Sequence, residues 1–466
     1  MTIKNIQMKS AVYKYLPYKI KNFLSAGHSR SIRAKKNIFA SFGLKGISIL
    51  ISFLLVPLVL NYIDITKYGI WLTLSSIIGW FGFFDIGLGN GLRNKFAEAI
   101  AKDQKELARI YVSTTYAILF IIIGIVYFLF LIINPLLNWT KILNTPLEMG
   151  NELSKLIIIV FTFFCIKFIL QLIGIVILAD QKPAINNSFN VIANSLSLLI
   201  IFILTKTTNG SLLYLGTTLS VSPVIVLLIA SFVFYNKDYS YCKPSFKYVD
   251  FKYFKSLESL GVKFFILQIA CIVIFATDNI IITQILGPVE VTPYNIAFKY
   301  FGIPIMVFTI IITPFWSAFT EAYTKNDIHW IKNSIQKIIK IWMLVVVGVI
   351  VLLVISNQFY LIWVGEKVQV PFLLSAFMGL YAIIITWNNI FAYFINGVGK
   401  IKLQMYYGVI AMVINIPISI FFAKNLEMGS AGVILGTCCS LIIGSFFAPI
   451  QTIKIIKGNA KGIWNN

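Results

Sequence analysis

Long apolar stretches without a single charge constrain this chain more than any other feature. Ala117 to Ile133 and Leu344 to Ile355 are continuous runs of this kind. Of the 466 residues, 58% are hydrophobic and 12% are charged. A soluble domain is about 45–50% apolar and about 25% charged. A bilayer can accept so much apolar surface if the backbone is helical, because every buried N–H and C=O is then paired within its own segment. A transmembrane barrel would show short alternating segments instead. The chain therefore reads as an all-α membrane protein.

A helical span needs roughly 20 apolar residues. About twelve such spans are expected, over 38–61, 68–89, 110–133, 153–178, 184–204, 212–234, 257–286, 294–317, 338–355, 372–394, 404–422 and 431–453. The first follows a basic lead and is expected to be retained as a span rather than cleaved. Alternate loops differ sharply in charge. Segment 1–36, the loops 90–109, 179–183, 235–256, 320–340 and 395–403, and the tail from Lys454 together hold 29 Lys and Arg. The opposite loops hold five: Lys67, Lys141, Lys206, Lys367 and Lys424. Lys and Arg stay in the cytoplasm, so both termini are expected there. The formal charge of +22 is mostly topology, and no nucleic acid is expected as a partner.

Two echoes divide the chain. Ser41-Phe42-Gly43-Leu44-Lys45 opens the first span and Ser259-Leu260-Gly261-Val262-Lys263 the seventh. Tyr68-Gly69-Ile70-Trp71 opens the second and Tyr294-Asn295-Ile296-Ala297 the eighth. Both halves start on the basic side, so the expected architecture is two six-helix lobes related by a pseudo-twofold along the membrane normal, around a central cavity. The domain reading is a basic N-terminal segment 1–37, an N-lobe 38–234, a linker 235–256, a C-lobe 257–453 and a tail 454–466.

Five lysines lie inside spans: Lys45, Lys155, Lys167, Lys263 and Lys299. A charge at bilayer depth costs at least ~2.5 kcal/mol and usually faces the protein interior or a wet cavity. Lys45 and Lys263 each sit about 10 Å into their spans at 1.5 Å per residue, and the repeat places them alike in each half. Lys167 is near the middle of the fourth span. One reading is snorkelling or ion pairing; the other is a cationic cavity for an anion, of which phosphate is the obvious case. Asp278 reads either as a partner of Lys299 or as an ion-coupling carboxyl. The stretch Asp85-Ile86-Gly87-Leu88-Gly89-Asn90-Gly91-Leu92-Arg93 ends the second span. Alternating glycines imply a helix break, close packing, or backbone approach to a ligand. The five cysteines and the histidines His28 and His329 show no metal-ligand spacing, and neither a cofactor nor a catalytic pair is expected. All loops are too short for an extramembrane catalytic domain.

The stretch from Tyr68-Gly69-Ile70-Trp71 through Phe84-Asp85-Ile86-Gly87-Leu88-Gly89-Asn90-Gly91-Leu92-Arg93-Asn94 resembles O-antigen and polysaccharide flippases of the Wzx type. So do Thr277-Asp278-Asn279-Ile280-Ile281-Ile282, Leu286-Gly287 and Tyr294-Asn295-Ile296-Ala297. These belong to the multidrug/oligosaccharidyl-lipid/polysaccharide exporter superfamily. The resemblance implies a non-enzymatic transporter of the bacterial inner membrane that moves an undecaprenyl-diphosphate-linked oligosaccharide for lipopolysaccharide or a related polymer. A polysaccharide polymerase and a chain-length regulator would be partners. Asp85, Gly87, Gly89, Gly91, Arg93 and Asp278 lie in the matching motifs; Lys45, Lys167, Lys263, Lys299 and Arg93 are the candidate cavity cations, Asp278 and Asp85 the candidate ion-coupling or ion-pairing carboxyls, and the three glycines a structural motif. A multidrug exporter of the same superfamily is the first alternative, and a membrane polymerase or glycosyltransferase the second.

Overall fold

The computed structural model describes residues 29–82, 88–180, 182–253, 273–274 and 276–465. Its helices of eight residues or more are α1 (Ser29–Tyr62), α2 (Ile65–Trp80), α3 (Leu88–Ala101), α4 (Lys105–Ile133), α5 (Gly150–Leu170), α6 (Leu172–Ala179), α7 (Pro183–Thr207) and α8 (Leu212–Asn236), followed by α9 (Asp278–Leu286), α10 (Val291–Thr324), α11 (Ile328–Val354), α12 (Ser356–Val364), α13 (Phe372–Val398), α14 (Lys402–Ile420) and α15 (Gly429–Ile456). Among the described residues there is no β-strand. Ten helical stretches there are long and apolar enough to cross a bilayer. The second expected span is represented by α2, which has 16 residues. The seventh falls largely in 254–272, outside the described residues, and the count of twelve stays an expectation.

Local chemistry explains the helix starts. The Asp64 side chain caps α2 by accepting from the Lys67 N–H at 2.8 Å. Ser211 and Asp327 cap α8 and α11 in the same way, each satisfying an N–H that has no partner within its helix. Pro183 opens α7, where its missing N–H costs nothing.

Packing sorts the helices into two bundles. In the first half α7 lies along α1 and α8, α8 along α5, and α3 against α4 and α6. In the second, α13 packs against α10, α11 and α15, and α15 against α14. The last pair crosses very closely. A Cβ on Gly436 would sit 2.6 Å from the Ser419 Cα, and one on Gly432 2.6 Å from the Phe422 carbonyl carbon. Small residues are how membrane helices gain close contact when lipid supplies no hydrophobic drive. The outer surface is apolar, with Phe120, Phe232, Leu344 and Val354 all exposed. Such a surface fits a lipid solvent and no aqueous one.

The segment after α8 is strapped to the first bundle. Buried Tyr239 donates to the Asp180 carboxylate at 2.8 Å, and Lys182 pairs with the same group. Arg109 donates to the Lys243 carbonyl, the Ser245 N–H to Ser113, and the Asp250 N–H to Thr114. Burial, and then the neighbouring Asp180 charge, pushes the Tyr239 phenol far above its usual range, so it stays a donor.

Candidate functional site: the seam between the two halves

The two motif regions singled out in the sequence meet in space. α2 belongs to the first half, yet it packs chiefly against α9, α10 and the 3-10 turn Pro288–Glu290 of the second. Gly69 makes this approach possible. A Cβ there would lie 1.7 Å from the Pro288 carbonyl oxygen, so no larger residue fits without moving backbone.

A ladder of small polar side chains runs down the seam. The Thr73 and Thr283 hydroxyls share a hydrogen bond of 2.7 Å, and Asn279 donates to Ser76 at 2.7 Å. Asn295 in turn donates to Asn279 at 2.8 Å, and Thr292 to the Ile65 carbonyl at 2.9 Å. The Trp80 indole reaches the Ala276 carbonyl. The positions share helix faces because they fall three or four residues apart: Thr73 with Ser76, Asn279 with Thr283. Polar pairs of this kind join helices where lipid offers no competing partner. Towards the end of the seam opposite the basic loops, Asn144 bonds the Thr283 carbonyl, Gln284 the carbonyls of Lys141 and Ile142, and Lys367 the Asn61 side chain. The Trp363 indole stacks on Phe53 at 4.3 Å and donates to its carbonyl. The halves are thus tied together at the end away from the positive charge.

Asp278 lies just behind the ladder and is buried among the second-half helices. Tyr294 donates to its carboxylate at 2.5 Å, and Thr437 lies 3.4 Å from both carboxylate oxygens. Asn415 donates to Thr437 at 3.2 Å. Lys299 points elsewhere: its Nζ is 3.4 Å from the Tyr68 hydroxyl, across the seam. An intramembrane carboxyl held by hydroxyls is costly and is usually functional.

The other singled-out residues are spread more widely. Lys45 is exposed on α1, Lys155 and Lys167 are exposed on α5, and Arg93 is exposed on α3. Gly89 and Gly91 are buried in the first turn of α3, where the chain restarts a helix after α2 ends at Trp80. Lys263, Asp85 and Gly87 lie outside the described residues. Among the described residues no group of His, Cys, Asp and Glu is arranged to hold a metal ion. The seam's Thr73, Ser76, Thr283 and Thr437 escaped notice in the sequence because single hydroxyl residues inside apolar spans carry no periodic signal. Their three- and four-residue spacing was the available clue.

The chain matches the family model described as polysaccharide biosynthesis protein over residues 34–319. It matches a second model, MatE, over 265–421. It is similar to a Yersinia pseudotuberculosis protein named "Putative O-antigen export protein", 21% identical over 416 residues, covering 87% of this chain and 92% of that one. It is also similar to a Salmonella typhimurium protein named "Putative O-antigen transporter", 24% identical over 433 residues, covering 91% and 95%. Among solved structures, an inward-facing multidrug resistance MATE family transporter superposes with a TM-score of 0.75 at 14% identity, covering 91% of this chain and all of that one. An outward-facing MATE family transporter gives 0.63 at 12% identity, covering 92% and 96%. These likenesses give the fold, a two-lobed all-helical membrane transporter architecture. The family match spans more than half of the chain, and the chain belongs to the polysaccharide biosynthesis protein family.

Proposed function

We propose that this protein is a flippase that carries an undecaprenyl-diphosphate-linked oligosaccharide across the cytoplasmic membrane by alternating access. The observation that carries the reading is the seam: two separately packed halves joined by short, reversible polar contacts at the end away from the basic loops. With the basic loops in the cytoplasm, that end faces outward, and the state described here is closed to the outside. Rocking the halves would break the Thr73–Thr283 and Ser76–Asn279 contacts and open the outer side. Substrate shifts such an equilibrium by its differential affinity for the two states. In this reading the polyprenyl tail stays in lipid while Lys45, Lys167, Lys263, Lys299 and Arg93 screen the diphosphate. Asp278 supplies a site for the coupling ion.

A cation-coupled multidrug exporter is the second reading, supported by the MatE match and the MATE-like fold. The in-span charges are mainly lysine, which favours an anionic cargo over a cationic drug. Deletion of the gene, followed by extraction of lipid-linked oligosaccharides, tests the choice. The flippase reading expects them to accumulate and surface glycan to fall. Unchanged glycan together with new drug sensitivity would favour the exporter.

A further inference from the structure

The segment leaving α8 carries a tandem signature. Phe246-Lys247-Tyr248 and Phe251-Lys252-Tyr253 each form one turn of 3-10 helix, separated by Val249-Asp250. The two tyrosines face the first bundle. The Arg109 guanidinium lies over the Tyr248 ring, 4.1 Å from its centroid, and Tyr253 meets Tyr111 edge-on at 5.3 Å. The phenylalanines and lysines face out: Phe246 is 95% exposed, Phe251 56%, and both lysines are exposed. Hydrogen bonds from Ser245 and Asp250 to α4 hold both turns in place.

Beside these turns runs a groove of about 470 Å³, lined chiefly by Ala117, Phe120 and Ile121 of α4, Ile169 of α5, and Phe246 and Phe251. That volume lies within the roughly 300–1,000 Å³ range of small-molecule sites. Phe120 lies about 16 Å along α4 from Arg109, at 1.5 Å per residue. The groove therefore begins level with the basic residues and runs into the apolar part of the helix. It opens on the outside of the first bundle, and none of its lining residues belongs to the seam.

We propose that this groove binds an anionic phospholipid of the inner leaflet, with an acyl chain along α4 and the headgroup on Lys247 and Lys252. Aromatic side chains favour the level of the headgroups, and lysine clusters at the cytoplasmic surface select anionic lipids. A neutral lipid would fill the groove but leave the lysines unanswered. The proposal shares the orientation of the function proposed above but not its cargo. The groove stands apart from the seam, and lipid binding and glycan export can fail independently.

Native mass spectrometry of the full chain in detergent tests it, with phosphatidylglycerol and phosphatidylethanolamine of matched chains as probes. Each lysine beside an anionic headgroup is worth about fivefold in binding. Wild-type protein is therefore expected to retain phosphatidylglycerol in preference, and Lys247→Ala with Lys252→Ala to lose that preference. Ala117→Phe, which fills the groove, should lower retention of both lipids. If Ala117→Phe does not fold, the double lysine variant decides, since both side chains are exposed. Equal retention of the two lipids by wild-type protein, or an unchanged preference in the lysine variant, overturns the proposal. So does displacement of phosphatidylglycerol by an equimolar amount of undecaprenyl phosphate, which would give the groove to the cargo.

Discussion

Gly69→Val should hold the halves apart at their outer end. The added Cβ would start 1.7 Å from the Pro288 carbonyl oxygen and 2.8 Å from its carbon. Both are backbone atoms and cannot rotate away, so α2 and the Pro288 turn must separate by about 1.7 Å to reach ordinary contact. The Thr73–Thr283 bond, 2.7 Å long and one helical turn away, does not survive that shift. The neighbouring Ser76–Asn279 and Ile65–Thr292 bonds are strained with it. At about 1 kcal/mol for each hydrogen bond, the closed state loses about 3 kcal/mol, roughly a hundredfold in its ratio to open states. In a background lacking the native cysteines, Thr73→Cys with Thr283→Cys places sulfurs where the hydroxyls now touch. Oxidation should crosslink this pair quickly, and at least tenfold more slowly once Gly69→Val is added, with glycan export lost in parallel. An unchanged crosslinking rate in folded Gly69→Val protein would refute the reasoning.

Lys167→Ala should lower surface glycan while the amount of protein in the membrane stays the same; normal glycan would remove Lys167 from the cargo site. Asp278→Asn keeps the acceptor oxygen for Tyr294 but removes the charge, so export in reconstituted vesicles should lose its response to an imposed proton or sodium gradient. An unaltered response would make Asp278 structural. Burial pushes the Cys242 thiol up to about 12, so it stays protonated and unreactive below that value. Its maleimide labelling at pH 7–9 should be slow and rise about tenfold per pH unit with no plateau, because the thiolate is the reactive form, whereas a cysteine placed at exposed Lys247 should label far faster and level off above pH ~8.5.

Much of the architecture was legible because lipid imposes a simple rule. Continuous apolar runs have to be helices, and the sided lysines orient them. Elements that obey neither rule were less visible. By its charge the stretch 90–109 reads as a loop, yet α3 covers most of it. Leu88, Leu92, Phe96 and Ala99 are buried there at helical spacing, but the helix is too polar to register as an apolar run. The linker 235–256 reads in the sequence as a connection; its aromatic turns are ordered by the hydrogen bonds to Ser113 and Thr114, which lie more than 130 residues away.

The seam shows the boundary most sharply. Composition and charge, acting through hydropathy alone, determine that this chain is a helical, multi-pass membrane protein with a sided charge distribution. The motifs at Tyr68 and Asp278 marked two important regions, 210 residues apart by the Thr73–Thr283 pair that joins them. That they touch, that Gly69 exists to let them touch, and that Asp278 faces Tyr294 and Thr437 rather than Lys299 were decided by packing. Hydropathy is a property of each segment separately, whereas a hydrogen bond between distant helices depends on how both are placed, and only the tertiary structure places them.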